Sequence, residues 1–422
     1  MAQYFIKEFR VKKLWGYRNM KISFNKDVNI LIGQNASGKT TILNLLRYIL
    51  TADVSNLYAI PFNEVVMKLK CFEGSDSLLI KVKSTDDGLE CTVGQQEYII
   101  DVESLRDRFM HPRFRHTSFR AVLDEFEESV KSLVPTVWLP VSRRLPLPED
   151  EERDIRLRRR DKWLESVDAR LRELLEQLVV YRKTLDSELS KLHVEFQKRV
   201  FEIMLYSKKL DTLATKPEAL TQKQHDQLVR AFESVGLIDS RMNKRIDEHF
   251  SAAEEAIKRL TEDREAKGVS LDDLLIVPLI QRTSSTIQFA RELEDSRMEL
   301  FNPLKQYEEI VTSFLNEKKV RVGEDGNLVI QSLAQKGQDL EPHLLSSGEK
   351  QIVILLTQAL LWEDKPVVYV VDEPELSLHV SWQEKLLKSL QDLGGRIQII
   401  VATHSPDISG PFPNNVIDLE KA

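Results

Sequence analysis

The chain has 422 residues, of which 42% are hydrophobic and 30% are charged, and its formal net charge is −7. This composition is typical of a globular protein large enough for two domains, or for one domain with a large insertion. It argues against a transmembrane protein, because no apolar run approaches the roughly 20 residues that span a bilayer. The acidic balance also gives no global support for nucleic-acid binding.

The N-terminus and the cysteines favour the cytoplasm as the compartment of this protein. Residues 1–7 lack the apolar core of a secretory signal. The two cysteines, Cys71 and Cys91, lie in separate strand-like segments, which favours buried free thiols in a reducing environment. We therefore expect a cytoplasmic protein without a membrane partner.

Most of the first 145 residues are predicted to form β-strands. Their hydrophobic patterns alternate with a period of two or form short apolar runs. The predicted strands are residues 5–11, 20–24, 28–32, 65–73, 78–84, 89–93, 97–101 and 136–140.

Residues from about 150 to 317 are highly charged and helical in pattern. Between Leu164 and Ile203, apolar residues recur with a mean spacing of about 3.5, the period of a helix that packs along one narrow seam. Helical stretches at 240–265 and 271–318 would return along this helix as an antiparallel arm. A compact helical domain with the same seam packed internally is the alternative.

The β pattern then returns. Residues 320–322 and 328–330, joined by a turn at 324–327, predict a hairpin, and an alternation of helices and strands follows. The sequence thus predicts one α/β domain built from residues 1–145 and 318–422. A helical, coiled-coil-like insertion at 146–317 interrupts it.

A phosphate-binding loop is predicted at residues 33–40. The segment GQNASGKT fits G-x-x-x-x-G-K-[ST] and lies between a predicted strand and a predicted helix. Its backbone N–H groups and the helix N-terminus would bind phosphate, Lys39 would reach the β- and γ-phosphates of ATP, and the Thr40 hydroxyl would bind Mg²⁺. The residues expected to contact ATP are Gly33, Asn35, Ser37, Gly38, Lys39, Thr40 and Thr41.

Two later apolar strands each end in polar residues. The first ends in Asp372 and Glu373, and the second is followed by His404. Because ligands of open parallel sheets bind at the carboxyl ends of the strands, we expect these side chains to lie near the phosphates. Asp372 is a candidate Mg²⁺ ligand, Glu373 a general base and His404 a γ-phosphate contact. The catalytic candidates are therefore Glu373, His404 and Lys39.

The segment LSSGEKQ, at residues 345–351, precedes an apolar helical run. By itself it predicts only a helix start, with Ser346 or Ser347 as the cap and Glu349 in the first turn.

Taken together and in this order, the P-loop, the L-S-x-G-E element, the Asp-Glu pair and the strand-terminal histidine resemble the ABC-type ATPases. The split layout resembles the non-transporter branch, which includes SMC-like repair ATPases and OLD-like ATPases of bacterial antiphage systems. LSSGEKQ, DEPELSLH (372–379) and THSP (403–406) are most similar to the OLD-like group. LPVSRR (139–144) resembles the ATPase subunits of Septu- and PARIS-type systems.

This resemblance covers residues 1–145 and 318–422 and implies an ABC-type P-loop core: a mixed sheet with flanking helices and an antiparallel β part. It implies that Ser346 and Gly348 contact ATP held by a partner subunit. The expected assembly is a homodimer, or an assembly of dimers, that closes on ATP and Mg²⁺.

The sequence departs from the family pattern at three places. Residues 141–144 contain no glutamine where the family has one, and Gln95 and Gln96 look like hairpin residues, so that role is unassigned. Residues 150–320 contain no cysteine for a zinc hook. Residues 405–422 are too few for the TOPRIM nuclease domain of OLD nucleases, so we expect any effector to be a separate protein, with a nuclease favoured.

The sequence leaves three functions open, the third being a nucleotide-gated structural module that binds ATP and hardly hydrolyses it, which Glu373 argues against. The first is an ATPase that acts as sensor and scaffold in antiphage defence and controls a separate effector. The alternative is an SMC-like DNA-repair or recombination ATPase that binds DNA directly. Two local features each have two interpretations. Either Trp15 or Tyr17 stacks on adenine, or these side chains simply pack against the protein. An Arg- and Phe-rich stretch either binds DNA or an acidic partner, or is a solvated face. That stretch contains Arg106, Arg108, Phe109, Arg113, Phe114, Arg115, Phe119 and Arg120.

Overall fold

The computed structural model describes residues 3–101, 117–140, 166–206, 221–234, 238–262, 271–334, 339–362, 365–376 and 378–421. Among these residues, no helix combines the length and the hydropathy that a membrane crossing requires.

An antiparallel sheet is built from N-terminal strands. Its members are β1 (Tyr4–Leu14), β2 (Arg18–Ser23), β4 (Glu64–Cys71), β5 (Ser77–Thr85), β6 (Gly88–Val93) and β7 (Gln96–Asp101). They are arranged in the order β2-β1-β4-β5-β6-β7. In β4, the alternate residues Val65, Met67 and Leu69 are buried, because successive side chains of a strand point to opposite faces. The period-two pattern therefore predicted these strands correctly.

One glycine in this sheet is required by close packing. Gly88 begins β6 at φ 147°, and a Cβ atom there would lie 2.0 Å from the carbonyl oxygen of Ile100 in β7. A larger residue would force the two backbones apart.

A second sheet is parallel throughout. It contains β3 (Val28–Ile32), β8 (Thr136–Pro140), β12 (Val367–Asp372), β13 (Ile397–Ala402) and β14 (Val416–Asp418), in the order β14-β3-β13-β12-β8. The central strands β12 and β13 are almost entirely buried, as expected of parallel strands that are covered on both faces. Asp372 and Ala402 are paired in register, so these strands end at the same edge.

The predicted hairpin is confirmed as part of a small third sheet. It consists of β9 (Lys318–Val322), β10 (Leu328–Ser332) and β11 (Asp339–Leu340). All its pairings are antiparallel.

Two groups of helices accompany these sheets. The first comprises α1 (Lys39–Leu50), α2 (Val54–Tyr58), α3 (Thr117–Leu133), α8 (Ser347–Leu360), α9 (Val380–Leu393) and α10 (Pro406–Ser409). The second comprises α4 (Ser166–Met204), α5 (Gln222–Ser234), α6 (Ser240–Glu262) and α7 (Leu271–Phe314). Short 3₁₀ turns occupy Pro342–Leu344 and Pro413–Asn415.

The six-stranded antiparallel sheet, the parallel sheet and α1 share one continuous apolar core. Ile42 and Ile49 of α1 are buried in the same cluster as Phe9 of the antiparallel sheet and Val370 and Ile400 of the parallel sheet. This packing fixes the start of α1, and with it the P-loop, against the carboxyl ends of β12 and β13. The fold is therefore an α/β core that carries the P-loop, with an antiparallel β part and a helical insertion.

Contacts divide the chain into two compact units, Met1–Val179 with Gln306–Ala422, and Val180–Lys305. Within the second unit, Phe196 of α4 packs with Ala290 of α7. Further along α4, the Ile203 carbonyl accepts a 2.8 Å hydrogen bond from Arg282 Nε of α7. Between these two contacts the residue number increases along α4 and decreases along α7. The two helices therefore run antiparallel, as predicted.

Both cysteines are free and buried, as predicted. Cys71 ends β4, and its thiol donates to the carbonyl oxygen of Glu73 at 2.8 Å. Cys91 lies in β6, where burial raises the pKa of its thiol to about 12.

Candidate functional site

The P-loop connects β3 to α1, as predicted. Helix α1 begins at Lys39, with Gly38 as its N-cap; no side chain caps its first N–H groups, and no acidic residue occupies its first turn. Such an end exposes N–H donors and the positive end of the helix dipole. It is therefore suited to bind an anion such as phosphate.

The glycines of the motif permit a tight loop. A Cβ atom on Gly33 would lie 2.6 Å from the Ser37 hydroxyl oxygen, and one on Gly38 would lie 2.9 Å from Cη2 of Trp15. Trp15 is thus packed against the loop, whereas Tyr17 is 76% exposed. Of the two adenine-stacking candidates, it is Tyr17 that presents a largely free ring.

Lys39 lies inside the loop. Its Nζ donates to the carbonyl oxygens of Gly33 at 2.7 Å and Gln34 at 3.1 Å. Burial lowers the pKa of the Lys39 ammonium, and the carboxylates of Glu373 and Asp372 oppose that shift. The lysine and both acids therefore occupy one electrostatic neighbourhood, although their sequence positions are more than three hundred residues apart.

Thr40 and Asp372 form the pair expected at a magnesium site. The Thr40 side chain lowers the pKa of the Asp372 carboxyl, but burial has the larger effect and raises it. Asp372 Oδ1 is buried and has no hydrogen-bond partner among the described residues. A buried carboxylate oxygen left free next to a hydroxyl fits Mg²⁺ or one of its water ligands.

No group of three Asp, Glu, His or Cys side chains forms a metal cage in the described part of the chain. This arrangement is compatible with Mg²⁺ bound together with ATP, because that ion is ordinarily held by one or two carboxylates, water and phosphate oxygens.

Glu373 and His404 lie side by side at the sheet edge. Glu373 has a left-handed backbone, with φ 49°, and its N–H donates to the Ala402 carbonyl oxygen at 2.8 Å. Its Oε1 lies 3.7 Å from His404 Nε2, and the two side chains are 37% and 40% exposed, respectively. A non-glycine residue in this conformation is strained, and such strain is often found at functional sites.

The L-S-x-G-E element begins α8, and Ser346 is its N-cap. The Glu349 N–H donates to Ser346 Oγ at 3.4 Å, and Glu349 Oε2 accepts from the Ser346 N–H at 2.9 Å, forming a capping box. Lys318 Nζ donates to Glu349 Oε1 at 2.5 Å. Although burial alone would raise the pKa of the Glu349 carboxyl, the bonds from Lys318 and Ser346 lower it. Gly348 is buried in this turn.

The structure does not bring Ser346 and Gly348 to the phosphate-binding loop through any hydrogen bond or ion pair of the described residues. Their side of the site is instead joined to the loop after β12, where Gln351 Nε2 donates to the Pro374 carbonyl oxygen at 3.3 Å. A role of Ser346 toward ATP of the same chain has no support in these contacts.

The other predicted phosphate contacts differ in exposure. Asn35 and Thr40 are exposed, Thr41 is half-buried, and Ser37 is buried with an unpartnered hydroxyl. The Ser37 oxygen lies in the P-loop itself, so a phosphate oxygen would supply the missing partner.

Sequence reasoning missed three residues that hold the site. Arg18 donates to the carbonyl oxygens of Ser37 and Leu419, both at 2.7 Å. Glu420 Oε1 accepts the Gln34 N–H at 3.0 Å. Glu375 Oε1 accepts the His404 N–H at 2.7 Å. Only Glu375 carried a signal, since it belongs to the DEPELSLH segment.

Several predicted features lie outside the described residues. They are the side chains of the Arg- and Phe-rich stretch at 106–120, residues 141–144 of the LPVSRR segment, and Ser377 of the DEPELSLH segment. Gln95 and Gln96 lie at the β6–β7 hairpin, as predicted.

A family model described as an AAA ATPase domain matches residues 5–409. The Retron Ec83 probable ATPase of Escherichia coli is 28% identical over 180 residues, a match that covers 36% of this chain and 32% of the relative. The chain thus matches about a third of that relative's length.

Two solved structures with similar folds are SMC heads. The Smc head domain of Pyrococcus furiosus, with an extended coiled coil and bound to the C-terminal domain of ScpA, is 15% identical, with a TM-score of 0.45. That alignment covers 97% of this chain and 92% of the other. The SMC head domain from Thermotoga maritima is 12% identical, with a TM-score of 0.40, and 96% of this chain and 91% of that chain are covered.

Proposed function

This chain belongs to the AAA ATPase domain family, and from that premise we propose that it hydrolyses ATP and that ATP closes two copies of it into a dimer. The observation that carries the proposal is the convergence of Lys39, Thr40, Asp372, Glu373 and His404 at the carboxyl edge of the parallel sheet. No single one of these residues would identify an ATPase. Together they supply the phosphate, metal and water contacts that hydrolysis needs.

The P-loop would bind the phosphates of ATP. The uncapped N–H groups of α1 and the Lys39 ammonium neutralise their charge. Lys39 would exchange its bonds to Gly33 and Gln34 for phosphate oxygens. Thr40 and Asp372 would hold Mg²⁺, which when bound offsets charge on the phosphates.

Glu373 is the proposed general base. Its carboxylate is partly exposed, so a water molecule can reach it, and it lies beside the His404 imidazole. Glu373 would accept a proton from the attacking water while His404 contacts the γ-phosphate. Their separation of 3.7 Å between Nε2 and Oε1 leaves both side chains free to turn toward substrate.

The L-S-x-G-E element is proposed to act across the dimer. Ser346 is exposed at the start of α8; its hydroxyl caps the Glu349 N–H, and the other N–H groups of the first turn have no partner within the helix. This end would contact ATP held by a second copy, and the second copy would contact ATP of the first, giving a two-fold symmetric closure. Loss of the γ-phosphate would remove that contact and open the dimer.

We further propose that this cycle controls a separate effector, with a nuclease favoured, in antiphage defence. Support comes from the amino-acid sequences of the LSSGEKQ, DEPELSLH and THSP motifs and from the similarity to a retron ATPase. The buried free thiols of Cys71 and Cys91 are consistent with a cytoplasmic location. A purified chain that cuts DNA with Mg²⁺ on its own would contradict this role, and hydrolysis stimulated by duplex DNA would favour the DNA-repair alternative.

The central test is Glu373→Gln. Without a base at this position, phosphate release should fall by about 100-fold or more, while ATP binding should remain within a few-fold of wild type. The same change at the exposed Glu384 is the control and should leave both quantities unchanged. A Glu373→Gln protein that hydrolyses ATP at the wild-type rate would remove the basis of the proposal.

A further inference from the structure

The loops that follow β12 and β13 are joined by a carboxylate. Glu375 lies two residues after Glu373, and its Oε1 accepts the His404 N–H at 2.7 Å. The bond reaches the backbone of the histidine itself. The position of the imidazole relative to Glu373 therefore depends on where Glu375 holds this loop.

Other contacts fix the ends of the two loops without reaching His404. The Glu373 N–H donates to the carbonyl oxygen of Ala402, two residues before His404, at 2.8 Å. On the far side, Ser405 Oγ donates to Gln383 Oε1 at 2.6 Å. Between these anchors, the bond from Glu375 is the one described contact that holds the His404 backbone to the β12 loop.

The environment of Glu375 is that of a site residue. Its charge acts on both Lys39 and Asp372. Its second oxygen, Oε2, is buried and has no partner among the described residues. A buried acceptor without a partner costs stability, so its presence beside these two ionisable groups indicates a functional requirement.

We propose that Glu375 is a positioning residue for ATP hydrolysis: it holds the His404 loop so that the imidazole stays beside Glu373 and the γ-phosphate. This inference rests on the proposed ATPase function. Catalysis is sensitive to such positioning, since a shift of about 1 Å in a reacting group can lower the rate by about 100-fold. Substrate binding is expected to be unaffected, because the P-loop contacts do not involve Glu375.

Two substitutions separate the hydrogen bond from the charge. Glu375→Gln keeps an oxygen that accepts the His404 N–H, whereas Glu375→Ala removes it. We expect Glu375→Ala to lower kcat by about tenfold or more with KM for ATP changed less than about threefold. Glu375→Gln should keep kcat within about threefold of wild type. Thermal melting of both variants checks that they fold.

A second readout does not depend on activity. Hydrogen–deuterium exchange of the His404 amide should become about tenfold faster in Glu375→Ala and remain near the wild-type rate in Glu375→Gln. This measurement decides the inference even if the wild-type chain fails to hydrolyse ATP, a result that would overturn the proposed function alone. Unchanged exchange in Glu375→Ala, a wild-type kcat in Glu375→Ala, or an equal loss of kcat in both variants would each overturn the positioning role.

Discussion

The Asp372 carboxylate is unfavourable for folding and favourable for metal binding. It is half-buried, its buried Oδ1 lacks a partner in the described part of the chain, and its pKa is raised mainly by burial. A raised pKa means that the folded state holds the proton more tightly than the unfolded state. The protonated acid therefore stabilises the fold at low pH, and this contribution is lost as the pH rises through the folded-state pKa.

Asp372→Asn should accordingly stabilise the protein without nucleotide or metal. At pH 8 the Tm should rise by about 2 °C, because the charged group that is costly to bury is gone. The difference between variant and wild type should shrink as the pH is lowered through the folded-state pKa of Asp372, which lies above the ordinary value of an aspartate. Thermal unfolding across this pH range measures the effect.

Asp76→Asn, at an exposed position, is the control and should show no such pH-dependent difference. An Asp372→Asn protein less stable than wild type at pH 8 would show that the carboxylate stabilises the fold. Hydrolysis should be lost in this variant, since Mg²⁺ would lose its carboxylate.

The placement of single residues was predicted where it follows from a motif, and missed where it depends on backbone partners. Lys39, Asp372 and Glu373 follow from short motifs with known spacing. Arg18 binds the Leu419 carbonyl oxygen, which lies 401 positions away in sequence. Any residue offers a carbonyl, so no side-chain pattern marks such a partner.

Helix α8 is held by polar contacts on several sides. Lys350 Nζ lies 2.7 Å from Asp168 Oδ1 of α4, with side chains only 10% and 22% exposed, respectively. The hydroxyls of Thr357 and of Tyr307 in α7 share a buried hydrogen bond of 2.7 Å. Arg170 of α4 also hydrogen-bonds Gln358. The bases of both long helices are therefore attached to the helix that begins with Ser346.

Asp168→Ala tests the buried ion pair. Removing one partner leaves the Lys350 ammonium largely buried without its carboxylate, so the free energy of unfolding should fall by about 3 kcal/mol. Denaturant unfolding measures this change. The matched control is Asp392→Ala, which breaks the exposed pair with Lys388 on α9 and should cost at most about 0.5 kcal/mol. Equal losses in the two variants would show that burial of the Asp168 pair is unimportant.

Helices and strands were predicted well because their patterns are local. The seam of α4 follows from apolar spacing, and Leu171, Leu174 and Leu178 are indeed buried. The order of the parallel sheet was not predictable in this way. Its strand β3 lies between β13 and β14, which come from the far end of the chain. Apolar strands such as β12 and β13 look alike in sequence, so hydrophobicity does not specify their neighbours.

The molecule as a whole is expected to work as a pair. Ser346 offers the sharpest test of this expectation. It is exposed at the N-terminus of α8, and no hydrogen bond or ion pair of the described residues joins it to the P-loop of its own chain. That residues 146–317 form an insertion is likewise a prediction about the whole molecule. Its ends include Asp168 and Tyr307, which by contact belong to the α/β unit.

Ser346→Arg should leave ATP binding by the single chain nearly intact and abolish both ATP-dependent dimer closure and hydrolysis. The long cation would occupy the space that faces the second copy. Light scattering with and without ATP, on the Glu373→Gln background, measures closure. Ser346→Ala is the control for bulk: it removes the hydroxyl and the cap at a cost of about 1 kcal/mol but adds no volume, so closure should weaken less than in Ser346→Arg. Weaker ATP binding by the monomeric Ser346→Arg protein would mean that this serine serves its own site.

The burial of Cys71 and Cys91 has a practical consequence for observing such closure. Thiol-directed reagents react with accessible thiolates, and neither of these side chains offers one under native conditions. The unmodified protein should therefore react very little with maleimides. A single cysteine introduced at an exposed position would take up a fluorophore or spin label selectively, and distances between two labelled copies would then report the opening and closing of the pair in real time.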